Sequence, residues 1–151
     1  MEEKDMIAPC GMNCMLCSGY QRDKNKCLGC NGSDDEKPRY CVTCSLKVCN
    51  EASKTDPSLC SCDKLPCKRL RQLDKRYTSR YGMSMLENLK MIKEQGMKKF
   101  LESQRKKWTC KKCGESLSVH KDKCLNCGSK NKFYCSRVNT PLLASVCERQ
   151  N

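Results

Sequence analysis

The sequence predicts a small α+β protein that is stabilised by bound metal, and three observations support this prediction. Cysteine accounts for 17 of the 151 residues, whereas the other apolar residues make up only roughly 27% of the chain and charged residues 31%. The cysteines are concentrated in two segments, and the cysteine-free segment between them has the periodicity of helices. Because so few apolar residues make a weak core, we expect the cysteines to hold the fold together.

The spacing of the cysteines favours metal binding over disulfide formation. The N-terminal segment MEEKDMIAPC lacks the basic and apolar regions of a secretory signal, and no apolar run reaches membrane-spanning length. We therefore expect a cytoplasmic protein that does not enter a membrane. Paired cysteines in such a protein are typical of metal sites. Five Cys-x2-Cys pairs occur, at positions 14/17, 27/30, 41/44, 110/113 and 124/127.

Composition divides the chain into four segments. Residues 1–67 form a cysteine-rich metal-binding module, residues 68–108 a basic helical segment and residues 109–132 a zinc ribbon. Residues 133–151 form a tail in which Cys135 and Cys147 belong to no motif, so that each is predicted to be a small buried apolar residue.

The middle segment contains the signals of consecutive helices. Pro66 is predicted in the first turn of one helix, and Gly82 is predicted to end it. Ser84 with Glu87 forms a capping-box pattern, and Gly96 is predicted to break the second helix. Apolar residues recur at intervals of three and four, which predicts core packing: Leu70, Leu73, Tyr77, Tyr81, Leu86, Leu89, Ile92, Met97, Phe100 and Leu101.

The strongest metal motif lies in CKKCGESLSVHKDKCLNCGSK. Each Cys-x2-Cys-Gly unit predicts a knuckle, in which a tight turn directs two sulfurs to one ion and glycine accepts the turn conformation. The ten residues between the two pairs are predicted to form a short β-hairpin, with His120 solvated within it. A rubredoxin-like iron site normally has a longer insert, so we predict zinc. The four predicted ligands are Cys110, Cys113, Cys124 and Cys127.

A second four-thiolate site is predicted from CMLCSGYQRDKNKCLGC, with Cys14, Cys17, Cys27 and Cys30 as ligands. Cys10 competes for a place, because CGMNCMLC has the Cys-x3-Cys-x2-Cys spacing of a radical-SAM cluster loop. That chemistry usually needs a partial or full β/α barrel of about 200 residues. The chain is too short for one, which argues against it. A plain iron–sulfur cluster is the alternative to zinc, because sulfur ligands alone do not distinguish the two.

A third group of cysteines exceeds the needs of one four-coordinate ion. The preferred ligands are Cys44, Cys49, Cys62 and Cys67, with Cys10, Cys41 and Cys60 as alternatives. Each of these cysteines has a simpler interpretation as a small buried apolar residue. In total we predict two to three zinc ions.

The runs CGMNCMLC, CLGC, CSLKVC and KLPCKRL together resemble a family of small cysteine-rich bacterial and archaeal proteins of unknown function. The stretch LENLKMIKEQGMKKFLESQRKKWTCKKCG resembles the helix and zinc ribbon of its longer members, so the resemblance covers roughly residues 8–128. It implies cytoplasmic metal-binding proteins, presumed to bind zinc and often found in anaerobes, and implies no known activity. The spacing Cys60-x-Cys62 is narrower than expected for the family, which leaves these two cysteines as alternative ligands.

The formal charge of +13 is distributed unevenly, with +14 on residues 64–132 and −2 on residues 1–63. Four thiolates around a divalent ion carry a net −2, so three such sites lower the total to about +7. With Trp108 beside it, the basic segment is predicted to bind nucleic acid or an acidic protein, although a solvated helical face explains the charge equally well. Its cations are Lys68, Arg69, Arg71, Lys75, Arg76, Lys98, Lys99, Arg105, Lys106, Lys107, Lys111 and Lys112.

The cysteine content suggests two other functions. A redox or metal-handling role is the alternative to the binding module, because the N-terminal cysteines outnumber the needs of a structural site. A hydrolytic zinc enzyme is disfavoured, since it needs an open coordination position and a general base. All-thiolate sites are closed, and the sequence contains a single histidine.

Overall fold

The computed structural model describes residues 2–49, 62 and 64–135, and helices dominate this part of the chain. Two 3-10 turns (Glu3–Met6 and Cys14–Leu16) accompany the α-helices. Within the described residues, β structure is limited to isolated antiparallel bridges. The helical part of the predicted class is thus confirmed, whereas the β part is limited to isolated bridges, with no strand among the described residues. The helices are α1 (Ser18–Gln21), α2 (Arg39–Val42), α3 (Lys68–Tyr81), α4 (Met85–Gln95) and α5 (Met97–Lys107).

Helix α3 begins slightly later than the sequence predicts. Cys67 is its N-cap residue and Lys68 its first residue, so Pro66 lies outside the first turn. Gly82 ends the helix as predicted, with a left-handed φ of +61° that glycine adopts without a steric cost. A Cβ at Gly82 would also lie 2.6 Å from the carbonyl oxygen of Phe133. Glycine therefore both ends the helix and lets the C-terminal segment pack closely against it.

The junctions of α4 agree with the predicted signals. The Ser84 Oγ accepts the backbone N–H of Glu87 at 3.1 Å, which confirms Ser84 as the N-cap residue. A carboxylate from α3 reinforces this cap, because Asp74 Oδ1 accepts both the Ser84 hydroxyl at 2.7 Å and the Leu86 N–H at 3.0 Å. Gly96 separates α4 from α5, as predicted. The α3–α4 junction is thus fixed by side-chain hydrogen bonds as well as by packing.

One hydrophobic core draws residues from three of the predicted segments. A smaller cluster places Phe100 with Ile7 and Ile92, and Met97 and Leu101 pack against it, which confirms the predicted apolar side of α5. Cysteines and methionines supply half of the main core, where their polarizable sulfurs fill irregular spaces. Its buried members are Met6, Ala8, Met12, Cys14, Leu16, Leu70, Met83, Met85, Leu89, Trp108, Cys110, Leu117, Val119 and Cys124.

The segment between the last two cysteine pairs packs against the N-terminal module. The backbone N–H of Val119 donates to the Leu16 carbonyl at 2.8 Å, and the Ser118 Oγ lies 3.3 Å from the same oxygen. The Gln21 side chain also reaches the Leu117 carbonyl at 3.4 Å. These contacts place the C-terminal cysteines beside the turn that carries Cys14.

None of the helices in the described ranges is both long enough and apolar enough to cross a membrane.

Candidate metal centre

The four cysteines of the last two pairs converge on one point. The sulfur atoms of Cys110, Cys113, Cys124 and Cys127 all lie within 4.8 Å of one another. The Sγ–Sγ distance is 3.6 Å between Cys110 and Cys127 and 3.7 Å between Cys113 and Cys124. Sulfurs bonded to one tetrahedral zinc ion at about 2.3 Å lie ~3.8 Å apart. These separations also far exceed the roughly 2 Å of a disulfide. The group can therefore hold a metal ion.

The two halves of this centre repeat the same backbone turn. The N–H of Cys110 donates to the Glu115 carbonyl at 2.8 Å, and the N–H of Cys124 donates to the Ser129 carbonyl at 2.8 Å. Gly114 and Gly128 close the turns onto the first cysteine of each pair at 2.9 and 3.0 Å. Both glycines have positive φ, +80° and +71°. Each pair therefore adopts a knuckle in which the turn orients both sulfurs.

The predicted hairpin between the two knuckles is wrong. Two of the antiparallel bridges in the described residues lie within the knuckles, at Thr109 with Ser116 and at Lys123 with Lys130, and a third joins Ile7 to Asn13. The residues between the knuckles instead pair with the N-terminal module through Val119 and Leu16. The backbone between the knuckles therefore pairs with a segment that is distant in the sequence, rather than with itself in the hairpin that the spacing predicts.

Ser129 supplies hydrogen bonds to the centre. Its Oγ lies 3.1 Å from Cys110 Sγ and 3.0 Å from Cys127 Sγ. This hydroxyl, together with the backbone N–H groups of Cys113 and Lys112, lowers the pKa of Cys110 to about 6. The side chain and backbone of Ser129 also lower the pKa of Cys127. At Cys110 the thiolate form that binds metal is thus favoured near neutral pH. At Cys113 a hydrogen bond from the Glu115 backbone lowers the pKa, but burial and hydrogen bonds with Cys127 and Cys124 outweigh it and raise the pKa to about 11.

In the second predicted site, cysteines of one Cys-x2-Cys pair lie beside cysteines of the other pair. The N–H of Cys30 lies 3.4 Å from Cys14 Sγ. A Cβ built on Gly19 would lie 3.5 Å from Cys27 Cβ and 3.7 Å from Cys17 Sγ, so Cys17 and Cys27 flank this glycine. In the C-terminal centre the first cysteine of one pair likewise meets the second of the other. The structure brings these four residues close together, but not within the mutual distance that the C-terminal centre satisfies.

Cys10 also lies among these thiols. Burial raises the pKa of Cys10 to about 12, with further contributions from the charges of Cys30 and Cys44. Burial and the nearby thiols, first among them Cys30, likewise raise the pKa of Cys41 to about 11. Cys10 and Cys41 therefore lie near thiols of the second predicted site, and Cys44 lies near both of them.

The remaining predicted ligands of the third group are not brought together. Cys67 is the N-cap residue of α3 and packs against the main core, while Cys49 and Cys62 lie near the edges of the described ranges. These residues belong to no four-sulfur group among the described residues. Cys60 and Cys147 lie outside the described residues. Cys135 is disulfide-bonded, which corrects its prediction as a small buried thiol.

Lys37 is a component of this region that no sequence signal indicates. Its side chain is 1% exposed, and its Nζ donates to the carbonyls of Cys30 at 2.9 Å and Gly32 at 2.6 Å and pairs with Asp34 at 2.7 Å. A hydrogen bond from Cys14 and the charges of Lys37 and Lys47 lower the pKa of Cys30 to about 7. A buried ammonium thus supports the loop that presents this thiol.

The prediction that His120 is solvated is wrong. Its Nε2 lies 3.0 Å from Tyr77 Oη, and its Nδ1 accepts the N–H of Ser18 at 3.3 Å. The ring also packs edge-on against Tyr81 with a centroid separation of 5.0 Å. Burial and the charge of Lys121 lower its pKa to about 4. His120 is therefore a neutral residue that connects three segments of the fold.

Part of the predicted basic segment lines a concavity beside the metal centre. This lysine concavity has a volume of about 360 Å³ and includes Cys110 and Ser129 in its wall. Lys130 and Lys132, which the sequence-based prediction did not include, complete its rim. Six lysines line it, all of them exposed, and no carboxylate does: Lys106, Lys107, Lys111, Lys112, Lys130 and Lys132.

Several other predicted cations are engaged elsewhere. Arg69 donates to the Ser45 carbonyl at 3.3 Å, Arg71 donates to the Pro66 carbonyl at 2.8 Å, and Arg105 pairs with Glu3. Trp108 is 1% exposed and packs against Phe133, with ring centroids 4.8 Å apart. Trp108 is therefore a core residue and offers no exposed ring to a partner.

Comparison with family models, with curated proteins and with solved structures gave no match to this chain, so its family is not assigned by similarity.

Proposed function

We propose that this chain is a zinc-stabilised module that binds nucleic acid through the lysine concavity. The observation that carries the proposal is a recess lined by six lysines and no carboxylate, in which the Lys107 Nζ also donates to the Gly82 carbonyl at 3.1 Å. A nucleic-acid backbone presents regularly spaced anionic oxygens, which several lysines can contact at once. Partial neutralisation of the backbone by lysines drives association through the release of counterions. An acidic protein is the competing partner, and a polyglutamate peptide represents it in the binding experiment.

Zinc is the metal that we propose for the C-terminal centre. Four cysteine sulfurs at tetrahedral separations occupy every coordination position, as in structural zinc sites. Such a closed site contributes to folding and leaves no position for a substrate. Elemental analysis of protein purified without oxygen tests the assignment. We expect at least one zinc per chain, and one fewer in a Cys113→Ser, Cys124→Ser double variant; iron at this stoichiometry would contradict it.

The lysines have a simpler interpretation, which the same variants test. Zinc with four thiolates carries a net charge of −2, and nearby ammonium groups stabilise that charge. If this is their only role, neutralising them weakens zinc binding and leaves nucleic-acid binding unaffected. If they bind a phosphate backbone, neutralising them weakens nucleic-acid binding in protein that is fully loaded with zinc.

The experiment measures fluorescence anisotropy of labelled single-stranded RNA and double-stranded DNA from about 50 to about 200 mM salt. In the Lys130→Gln, Lys132→Gln variant we expect weaker binding and a salt slope reduced by roughly 1.5, since each phosphate contact contributes 0.7–0.9. The Lys90→Gln, Lys93→Gln variant removes the same charge from the exposed side of α4 and is the control. Absence of binding at low salt, an equal loss in both variants, or tighter binding of a polyglutamate peptide contradicts the proposal.

A redox or metal-handling role is the second candidate, and the N-terminal thiols favour it. Cys10, Cys14 and Cys30 lie together with a buried lysine beside them, and Cys41 and Cys44 lie nearby. More thiols are present there than one structural ion needs. The absorption spectrum of protein purified without oxygen tests this candidate. A visible charge-transfer band with iron and sulfide supports it, whereas a colourless protein that contains only zinc excludes the iron–sulfur cluster.

A further inference from the structure

A second cavity, here called the junction cavity, lies where α5 meets the N-terminal module and the knuckles. It has a volume of about 540 Å³, within the range of small-molecule sites. Leu16 and Tyr20 contribute apolar surface to its wall, and Asn13 and Asn126 contribute amide groups. Small-molecule sites typically combine apolar walls with a few polar groups that fix the orientation of the ligand.

Two residues that line this cavity each have a buried polar side-chain atom without a hydrogen-bond partner. The atoms are the Gln104 Oε1 and the Trp108 Nε1. Among the described residues, these are the two buried side-chain nitrogen or oxygen atoms that lack a hydrogen-bond partner. Gln104 is 5% exposed and Trp108 is 1% exposed, and both line the junction cavity. Buried groups of this kind normally have a partner, so each unpaired one needs an explanation. That both belong to one cavity indicates a ligand with complementary groups.

Hydrogen bonds determine which way the Gln104 amide points. The Asn88 Nδ2 donates to the Gly11 carbonyl at 2.9 Å, which fixes the Asn88 Oδ1 as the acceptor for the Gln104 Nε2 at 3.4 Å. The Gln104 amide nitrogen is thereby used, and its oxygen is left as an acceptor. The indole N–H of Trp108 can only donate. The wall therefore offers one acceptor and one donor.

Gln104 and Trp108 are four residues apart, at the end of α5. Side chains at this spacing are neighbours on one helix face, with Cβ atoms about 5–6 Å apart. One molecular edge that carries a donor next to an acceptor can therefore contact both atoms. We propose that the junction cavity binds a nucleobase by this edge. The proposal goes beyond the proposed function, because a free nucleoside would need no contact with the lysine concavity.

The chemistry of the wall favours a base over other small ligands. A carboxylate or phosphate offers only acceptors, which leaves the Gln104 oxygen unpaired, and the wall has no excess of cations, because Lys26 and Arg105 are balanced by Glu3 and Glu115. A purely apolar ligand leaves both atoms unpaired. Every nucleobase carries a donor and an acceptor side by side and has two apolar faces, which suit the rings and aliphatic groups of the wall.

Both unpaired atoms are covered in the ligand-free chain, so entry of a base requires side chains at the mouth to move. Two exposed side chains of the lining are suited to this movement. Leu125 is 54% exposed, and Lys26 lies over the Tyr20 ring with its Nζ 4.4 Å from the centroid.

Trp108 is the single tryptophan of the chain and therefore reports on the cavity directly. The experiment titrates the zinc-loaded full chain with the four ribonucleosides and follows Trp108 emission. A second arm uses a single-stranded oligonucleotide and the same sequence as a duplex, in which the base edges are hidden. Saturable quenching by a nucleoside identifies a free base as the ligand, and quenching by the single strand alone identifies a base within a strand.

One substitution and one modified ligand test the assigned contact of Gln104. Gln104→Met keeps the volume and removes the acceptor, and we expect it to weaken the response about tenfold or more. Gln72→Met on the exposed side of α3 is the control and should leave the response unchanged. A ligand whose donor nitrogen is methylated until it has no N–H provides the same test without changing the protein, and should also bind about tenfold more weakly.

The outcomes decide the proposal. Quenching that is lost in Gln104→Met and with the methylated ligand, and retained in Lys130→Gln, Lys132→Gln, supports it even if the lysine concavity proves inactive. No response to any nucleoside or oligonucleotide overturns it, as does a response that survives both the substitution and the methylation. The two atoms then bind water or each other.

Discussion

The His120 Nε2 lies 3.0 Å from the Tyr77 Oη, and this contact joins the segment between the knuckles to helix α3. The His120 Nδ1 already accepts a hydrogen bond from the Ser18 N–H. The proton of the neutral imidazole is therefore on Nε2, which donates to the tyrosine oxygen. One side chain thus connects the N-terminal module, the middle helices and the metal-binding end.

Removing the tyrosine oxygen should destabilise the fold. In Tyr77→Phe the Nε2–H of His120 loses its acceptor in a largely buried position, and we expect a loss of about 1–2 kcal/mol in the free energy of unfolding. Urea denaturation measures this loss. Tyr40→Phe is the matched control, because Tyr40 is 77% exposed. Equal stability of the two variants would contradict the role assigned to this contact.

His120 should also make stability depend on pH. Its folded-state pKa is about 4, lowered by burial and by Lys121, against about 6.5 in an unfolded chain. Between these values the unfolded state binds more protons, so stability is lost as the pH falls from about 6.5 to about 4. The loss attributable to this residue is up to about 3 kcal/mol.

A comparison of wild type with His120→Gln separates the contribution of His120 to the pH dependence from the release of zinc at low pH. Wild type and His120→Gln are denatured with urea at a series of pH values in excess zinc. The stability of wild type relative to the variant should fall as the pH decreases through this window, because the glutamine does not titrate. Stability curves that remain parallel across the window would show that His120 is not held neutral by the fold.

The sequence predicted what local spacing determines. Cys110, Cys113, Cys124 and Cys127 lie in two short units whose turns depend only on adjacent residues, so their convergence could be predicted. Gly82 and other helix boundaries depend on local backbone preferences in the same way. The prediction that His120 is solvated is wrong because the residues around it are far away in the sequence, and spacing alone does not indicate them.

The N-terminal module shows the limit of such predictions. Its ligands are all cysteines, so the sequence offers many equivalent combinations, and only folding brings Cys10 near Cys30. The burial of Lys37 could not be predicted, because lysine is almost always exposed and nothing in its flanking residues indicates burial. The junction cavity could not be predicted either, because it is formed by three segments that meet only in the folded chain.

Ser129 should strengthen metal binding without being a ligand. Its hydroxyl contacts the sulfurs of Cys110 and Cys127 at 3.1 and 3.0 Å. Hydrogen bonds from outside the ligand set typically change metal affinity by roughly 10–100-fold. We expect Ser129→Ala to bind zinc about tenfold more weakly in competition with a chromophoric chelator. Ser79→Ala on α3 should bind zinc like the wild type, and an equal affinity of all three proteins would contradict the role of Ser129.

Asp74 should stabilise the α3–α4 junction. Its Oδ1 accepts hydrogen bonds from the Ser84 hydroxyl and the Leu86 N–H. In Asp74→Ala both donors lose this partner, and we expect a loss of about 2 kcal/mol in the free energy of unfolding. Asp23→Ala, at an exposed position, is the control for removing one negative charge. Thermal denaturation in excess zinc compares them, and equal melting temperatures would argue against the junction contact.

Lys37 should be essential for the loop that carries Cys30. Lys37→Met keeps the aliphatic stem but leaves the carbonyls of Cys30 and Gly32 without their donor, and we expect a loss of about 2–4 kcal/mol. Lys47→Met is the matched control, because Lys47 pairs with the same Asp34 from a more exposed position and should cost less than about 1 kcal/mol.

Metal content distinguishes a specific role of Lys37 from general destabilisation. Because the loop positions Cys30 opposite Cys14, Lys37→Met should lose metal from the N-terminal cysteines and retain one zinc at the C-terminal centre. The Lys47→Met variant should retain the metal at the N-terminal cysteines as well as the zinc at the C-terminal centre. If Lys37→Met keeps the full metal content and unfolds like Lys47→Met, the buried ammonium does not organise the N-terminal thiols.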